Sequence, residues 1–402
     1  MRCSPCRLLL LLTLVGCGAR QPPEAAIEVA TVEAGQGDPR AFLVQATEDM
    51  EPGIRGRALG LLILHDADPG GGAWTPRALF DPNSYVQRQA IDALSQRMHE
   101  DHSVAVLEAF VQRSNVDPYT RSHAAVLLAV HGHLGTQDTL AAAWRGEDRH
   151  WRRAPLALAA LMLGDEEALE PLARDLARGD FPLEVDFYLD VGRSGRAELA
   201  DPLIEGLTMV EETLVLPTAV ALVDLGHRKG EGLFKDALSD GNVELRLEAI
   251  DYLTELQDAA VARRLLRKAR TGGPDAVRRY AELALVARGE EDPAPAYDAL
   301  TDVDRELRQQ GVWALAGWLA SAPDAPRRER RQAYKLLVAS LGDPSPAVVQ
   351  EAITGLGRVG RAADRGLLAG LLTEDTLGLG VEAAGAMLAI DAKEGMALAT
   401  LD

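Results

Sequence analysis

Leu238–Arg270 reads LSDGNVELRLEAIDYLTELQDAAVARRLLRKAR. Val243, Leu247, Ile250 and Leu253 recur at helical spacing and make one apolar face. Val261, Leu265 and Ala269 repeat that pattern after a break. Asp240, Gly241 and Asn242 open the first helix, because short polar residues satisfy the orphan N–H groups of a helix start. Neither predicted helix is long enough to be stable alone in water, so each needs a neighbour over its apolar stripe. A similar pattern recurs along almost the whole chain, which makes the neighbour another copy of the motif.

Working outward, a small residue marks the middle of one helix in successive units: Ala58, Ala90, Ala124, Pro155, Thr218, Ala249, Ala281, Gly311, Ala352 and Ala383. Ala249 to Ala281 is a step of 32 residues and Ala352 to Ala383 a step of 31, a period that marks stacked supersecondary units. The step from Pro155 to Thr218 is 63, so one unit is skipped near Glu184–Leu189. An arginine stands three residues before the small position at Arg55, Arg121, Arg152, Arg246, Arg278 and Arg308. Upstream lie Asp49, Asp81, Asp117, Asp148, Asp240, Asp275, Asp302 and Asp343, three of them followed by proline, as suits a helix start.

Leu341–Gly360 (LGDPSPAVVQEAITGLGRVG) resembles a HEAT repeat of the short, phycobilisome-lyase-like type, and Asp81–Leu94 and Asp240–Leu256 fit the same pattern. The resemblance implies an all-α fold, a right-handed α-solenoid of about eleven HEAT-type helical pairs over residues 41–402. It also implies that the register Asp and Arg residues bridge neighbouring repeats as a ladder. Gln87, Val349 and Gly380 stand where arginine would be, so gaps are expected there. The pattern is irregular around 181–220, which carries Pro182 and Pro217, and around 321–331 (SAPDAPRRERR), which reads as an inserted loop. His65–Trp74 reads as another long loop, and the Gly- and Ala-rich Thr373–Leu401 as a worn cap or a packing surface.

Composition agrees with a helical stack. Aromatics are only 4% of residues and alternating Val/Ile runs are scarce, which argues against a sheet-based core. The net charge of −19 disfavours nucleic acid as a partner, because phosphate neutralisation calls for a basic surface.

The first seven residues carry Arg2 and Arg7, and Leu8–Val15 is an apolar run too short to span a bilayer. Leu14-Val15-Gly16-Cys17 resembles the lipobox of bacterial lipoproteins. That resemblance implies a signal peptide over 1–16, lipidation of Cys17 and a Pro/Gly-rich tether over 17–40. Gly18 after the cysteine implies sorting to the outer membrane, on its periplasmic face. Cleavage removes two arginines and takes the net charge from −19 to −21. Cys3, Cys6 and Cys17 all precede Gly18, so a disulfide or cysteine zinc site is excluded from the body.

Candidate chemistry is thin. His123, His131 and His133, with His150 beyond, form the densest histidine group, and a metal or catalytic site there is the alternative to a plain helix end. A single His-Glu dyad, His99-Glu100, is too few for the di-iron hydroxylases built on HEAT arrays. Gly355-Leu-Gly-Arg-Val-Gly360 fits G-x-G-x-x-G but closes a helix instead of opening one, so its glycines read as terminators. Asp66-Ala67-Asp68 lacks the closing acid of a calcium loop and reads as a turn. No nucleophile elbow, HExxH or P-loop occurs, and neither catalytic residues nor a cofactor is expected.

Trp144 and Trp151, beside Arg152 and Arg153, fit either junction packing or a binding surface. Arg327, Arg328, Arg330 and Arg331 fit either a solvated loop or a docking site for an acidic partner. The expected function is a membrane-anchored periplasmic scaffold holding a protein or peptide, with no small-molecule substrate. A self-associating envelope component is the other class considered.

Overall fold

The computed structural model describes residues 37–65, 72–113, 115–133, 135–179, 185–373 and 376–399. The regular structure of these residues is helical, with 22 α-helices and short 3-10 turns. The helices alternate as the two members of eleven pairs. Residues 40–278 form one compact unit and residues from Arg279 onward another, the division falling inside α16.

In the first unit the pairs are α1 (Pro39–Ala46) with α2 (Pro52–His65), α3 (Trp74–Leu79) with α4 (Ser84–Ser95), and α5 (Asp101–Val111) with α6 (Pro118–Val130). There follow α7 (Gln137–Arg145) with α8 (His150–Met162), α9 (Leu169–Arg178) with α10 (Val185–Arg193), and α11 (Ala200–Gly206) with α12 (Val215–Asp224). Next come α13 (Arg228–Ser239) with α14 (Val243–Glu255), then α15 (Ala259–Thr271) with the start of α16 (Asp275–Ala287). The second unit continues with α17 (Ala294–Ala299) and α18 (Arg305–Ser321), α19 (Arg327–Ala339) and α20 (Pro346–Val359), and α21 (Arg365–Ala369) and α22 (Leu377–Ala399).

Within each unit helices pack on their partners, as α3 on α4, α7 on α8 and α17 on α18, and on counterparts in the next pair, as α2 on α4, α4 on α6, α10 on α12, α18 on α20 and α20 on α22. This is an α-solenoid, in which neighbour interfaces replace a central core. The buried apolar side chains follow suit. One continuous cluster runs from Leu59 to Leu225 in the first unit and another from Leu283 to Ile390 in the second.

All ten small positions read from the sequence are buried in even-numbered helices. Gly311 shows why they are small. A Cβ there would sit 2.9 Å from Ala299 Cβ and 3.1 Å from Ala296 O, so this is where the two helices of a pair cross. The skipped unit is α9 with α10, whose centre holds buried Phe187 and Tyr188, edge to face at 5.8 Å.

Helix starts follow local chemistry, with one correction. Asn83, Asn242 and Asp304 cap their helices by accepting the N–H two residues on. Asp240 does not cap; it accepts from Asn242 N, one step earlier, and Asp81 and Asp343 do the same for Asn83 and Ser345. The turn aspartates therefore keep an oxygen free for other partners.

The stretch 321–331 also departs from expectation. Residues 327–331 begin α19, and α18 extends to 17 residues, so only 322–326 link the two. Thr373–Leu401 is largely the 23-residue α22. The signal peptide, Cys17, the tether up to residue 36 and Asp66-Ala67-Asp68 lie outside the described residues.

Candidate functional site

The arginine ladder forms fully at two rungs. Arg55 donates from Nε and Nη2 to the two carboxylate oxygens of Asp81, at 2.8 and 3.2 Å, while its Nη1 donates to the carbonyls of Asp49 and Met50. Arg308 repeats the arrangement, 2.8 and 3.1 Å to Asp343 with Nη1 on the carbonyls of Asp302 and Val303. One guanidinium thus closes the turn of its own pair and clasps the turn of the next, a use of its planar donor fork that lysine could not copy. Gln87 at an expected gap keeps the first half of the job, donating to Asp81 O at 2.8 Å.

Elsewhere the predicted rungs are corrected. Arg246 reaches the carbonyls of Asp240 and Ser239 but, among the described residues, no carboxylate. Arg278 folds back onto Asp275 at 2.9 Å, and the link to Asp302 comes from Arg279 at 3.1 Å. Arg121 is buried and donates to Val111 O at 2.5 Å, while Asp117 caps α6 through Thr120. Arg152 lies 3.6 Å from Glu147 and over the Trp151 ring, and Asp148 is exposed. Arg153 makes the bridge instead, to buried Asp175 at 2.9 and 2.5 Å. A shift of one residue turns a side chain by about 100° around a helix, and spacing alone does not resolve that when two arginines are adjacent.

The sequence reading missed a related device at the helix ends. Arg97 donates to Ile63 O at 2.6 Å, and Lys393 donates to Gly357 O at 2.8 Å, each cation serving the last turn of the preceding even-numbered helix. The signal was available, a basic residue about one repeat after each helix end.

The ladder carries a pH dependence. Burial raises the Asp81 carboxyl, but the Arg55 hydrogen bond, the Asn83 N–H and the Arg55 charge more than reverse this and hold it below the usual range. Asp343 behaves likewise beside Arg308. A carboxyl depressed in the folded state contributes stability above its unfolded value near 4, lost as pH falls through the folded value. Asp81→Asn is expected to lose about 1–2 kcal/mol at pH 7, with the gap to the parent closing below about pH 4. Urea midpoints across pH test this, and a gap unchanged at pH 3 would refute the ladder's ionic character.

The three histidines do not converge. His131 ends α6 and shares a 2.8 Å hydrogen bond with Leu127 O, followed by Gly132 at φ +82° and by His133. His123 instead faces across the helix row. Its Nε2 is 2.9 Å from Asp92 Oδ1 on α4 and its Nδ1 is 3.6 Å from Asp190 Oδ2 on α10, an ion-pair contact longer than a hydrogen bond. Burial alone would lower the imidazole, but Asp190 and Asp92 outweigh it and push its pKa up to about 10. Arg193 holds Asp190 at 2.7 Å, and Arg88 lies 3.8 Å from Asp186, whose carboxyl is raised by burial. A cavity of about 20 Å³ adjoins this node, lined by Tyr119, Ser122, Pro155 and Phe187 with the charged groups. Among the described residues no three His, Cys, Asp or Glu side chains are grouped to hold a metal ion.

Of the two roles open to Trp144, junction packing or a binding surface, the structure places it in packing. It is buried, and its indole N–H donates to Asp165 at 2.9 Å. Trp151 is half-buried and stacks on Tyr119 at 6.4 Å. Arg330 turns inward and donates to Leu319 O and Ala322 O, closing the end of α18, whereas Arg327, Arg328 and Arg331 are exposed. The glycine motif is corrected too. Gly355 and Gly357 lie inside α20, where a Cβ would meet Ala316 Cβ at 2.8 Å and Ala386 Cα at 3.3 Å, and only Gly360 ends the helix. They serve close packing, not a phosphate.

Residues 293–389 match the family model of HEAT repeats. The segment covers α18 to α20 and the ladder rung from Arg308 to Asp343. No curated protein matches the chain. One solved structure, the crystal structure of an engineered protein, is 16% identical over 88% of this chain and 99% of its own, with a TM-score of 0.29.

Proposed function

We propose that the protein is a non-enzymatic interaction scaffold, anchored by a lipid on Cys17 to the periplasmic face of a bacterial outer membrane, whose repeats hold a protein or peptide. The observation that carries the binding role is the placing of exposed apolar side chains. Met50 (94% exposed) and Val303 (98%) stand in turns joining the helices of a pair, and Phe80 and Met209 occupy the same kind of turn elsewhere. Stacking uses the helix faces and leaves these turns to solvent, so another protein can reach large apolar groups there without disturbing the stack. The anchor rests on Leu14-Val15-Gly16-Cys17 after a basic start and an apolar run.

A photo-crosslinking residue at Met50, in full-length protein in its native envelope, tests both parts. A defined crosslinked partner and a shift to the soluble fraction on Cys17→Ser are expected. No specific adduct would remove the scaffold, and unchanged membrane fractionation of the serine variant would remove the anchor.

A further inference from the structure

The outward face of α19 combines features that packing does not explain. Arg327, Arg328, Arg331 and Lys335 are exposed and fall within an arc of roughly 100° on the helix. Ala333 and Leu337, on the opposite side, are buried. None of the four cations makes a side-chain hydrogen bond or ion pair among the described residues. Arg361 extends the basic edge, lying over the Tyr334 ring at 4.3 Å. By contrast, Arg264 on α15, another basic helix, is already taken by Glu231 at 2.6 Å.

This placement is adverse for the isolated helix. Arg327 and Arg328 sit in the first turn, where the backbone dipole disfavours cations; Glu329 is the one acid there to offset them, and Pro326 provides no side-chain cap. A carboxylate laid there would be met by the arginines and the helix end together.

We propose that the solvent face of α19 docks an acidic polypeptide segment, its carboxylates lying along Arg327, Arg328, Arg331 and Lys335. This rests on the scaffold reading and supplies the chemistry of its partner. Three of the four cations are arginines, whose forks pair with carboxylates through two hydrogen bonds. The stripe from 327 to 335 is about 12 Å long, the span of about four extended residues. Charge interactions fade within about 8 Å at physiological salt. A short acidic segment therefore senses the local stripe, whereas a bilayer or nucleic acid would also meet the acidic surfaces of a chain with net charge −19.

The test uses the full chain and fluorescein-labelled hexaglutamate, with hexaglutamine as the uncharged control. Anisotropy titration should show binding of hexaglutamate only. The affinity should fall more than tenfold in Arg328→Glu/Arg331→Glu, and again when salt rises from about 0.05 M to about 0.5 M. Both positions are exposed, and thermal melting verifies that the variant stays folded. Equal binding by parent and variant, no binding by the parent, or preferential sedimentation with phosphatidylglycerol vesicles would each overturn the proposal. The crosslinker at Met50 separates the two readings. A partner captured equally by parent and variant leaves the scaffold standing and removes α19, whereas no partner in either removes the scaffold itself.

Discussion

Alanine at Gly206 is expected to destabilise the protein by about 2–3 kcal/mol, far more than one added methyl group on most helix surfaces. Gly206 ends α11, and a Cβ there would lie 2.2 Å from Leu176 O on α9. The contact is mutual, since a Cβ on Gly179 would lie 2.2 Å from Gly206 O. Gly179 also has φ +61°, so Gly179→Ala adds a backbone penalty to the clash. Backbone atoms cannot rotate away as a flexible side chain can, so the two chain segments must separate. Gly232 supplies the control. It lies within α13 with nothing within 4 Å of its Cβ position, and alanine there should stabilise by up to about 1 kcal/mol through helix propensity. Denaturant midpoints, with hydrogen exchange to localise the loss to α9 and α11, decide the matter. Equal effects at Gly206 and Gly232 would show that the close approach is not real.

The second large effect is expected at His123. His123→Gln removes a cation held between Asp92 and Asp190 and leaves buried Asp190 with Arg193 alone. Removing one partner from such a node costs more than the pair contributed, and a loss of about 2–3 kcal/mol is expected. The pH dependence identifies the cause. The folded pKa of about 10 exceeds the unfolded value near 6.5, so the imidazolium's contribution is complete below 6.5 and disappears as pH rises through 10. The gap between parent and variant should therefore narrow between those limits. A gap that is constant over that range would mean that the ring acts through packing alone.

These two cases show how far the sequence reaches. The apolar periodicity and the small residue once per unit identified the helical pairs, because burial of a stripe and crossing of two helices are local demands repeated along the chain. Ala249, Ala281 and Ala352 are each fully buried where the register placed them. The same scan passed over α10, since Phe187 and Tyr188 fill that unit's centre by volume. The ladder was legible as a spacing and not as a set of partners. Arg55 and Arg308 reach the carboxylates of the next pair, whereas Arg279 and Arg153 take over from the predicted Arg278 and Arg152.

The sequence by itself determined that the chain is a series of mutually covering two-helix modules, because period, capping and apolar patterning are properties of neighbouring residues. Tertiary structure alone decided which side chains are consumed by packing and which are left outward. It buried Trp144 against Asp165, set His123 between two carboxylates, turned Arg330 onto the end of α18 and left Arg327, Arg328 and Arg331 in solvent. The physical reason is that a side chain's fate depends on what the adjacent module presents at that point, and that partner lies some thirty residues away in the chain.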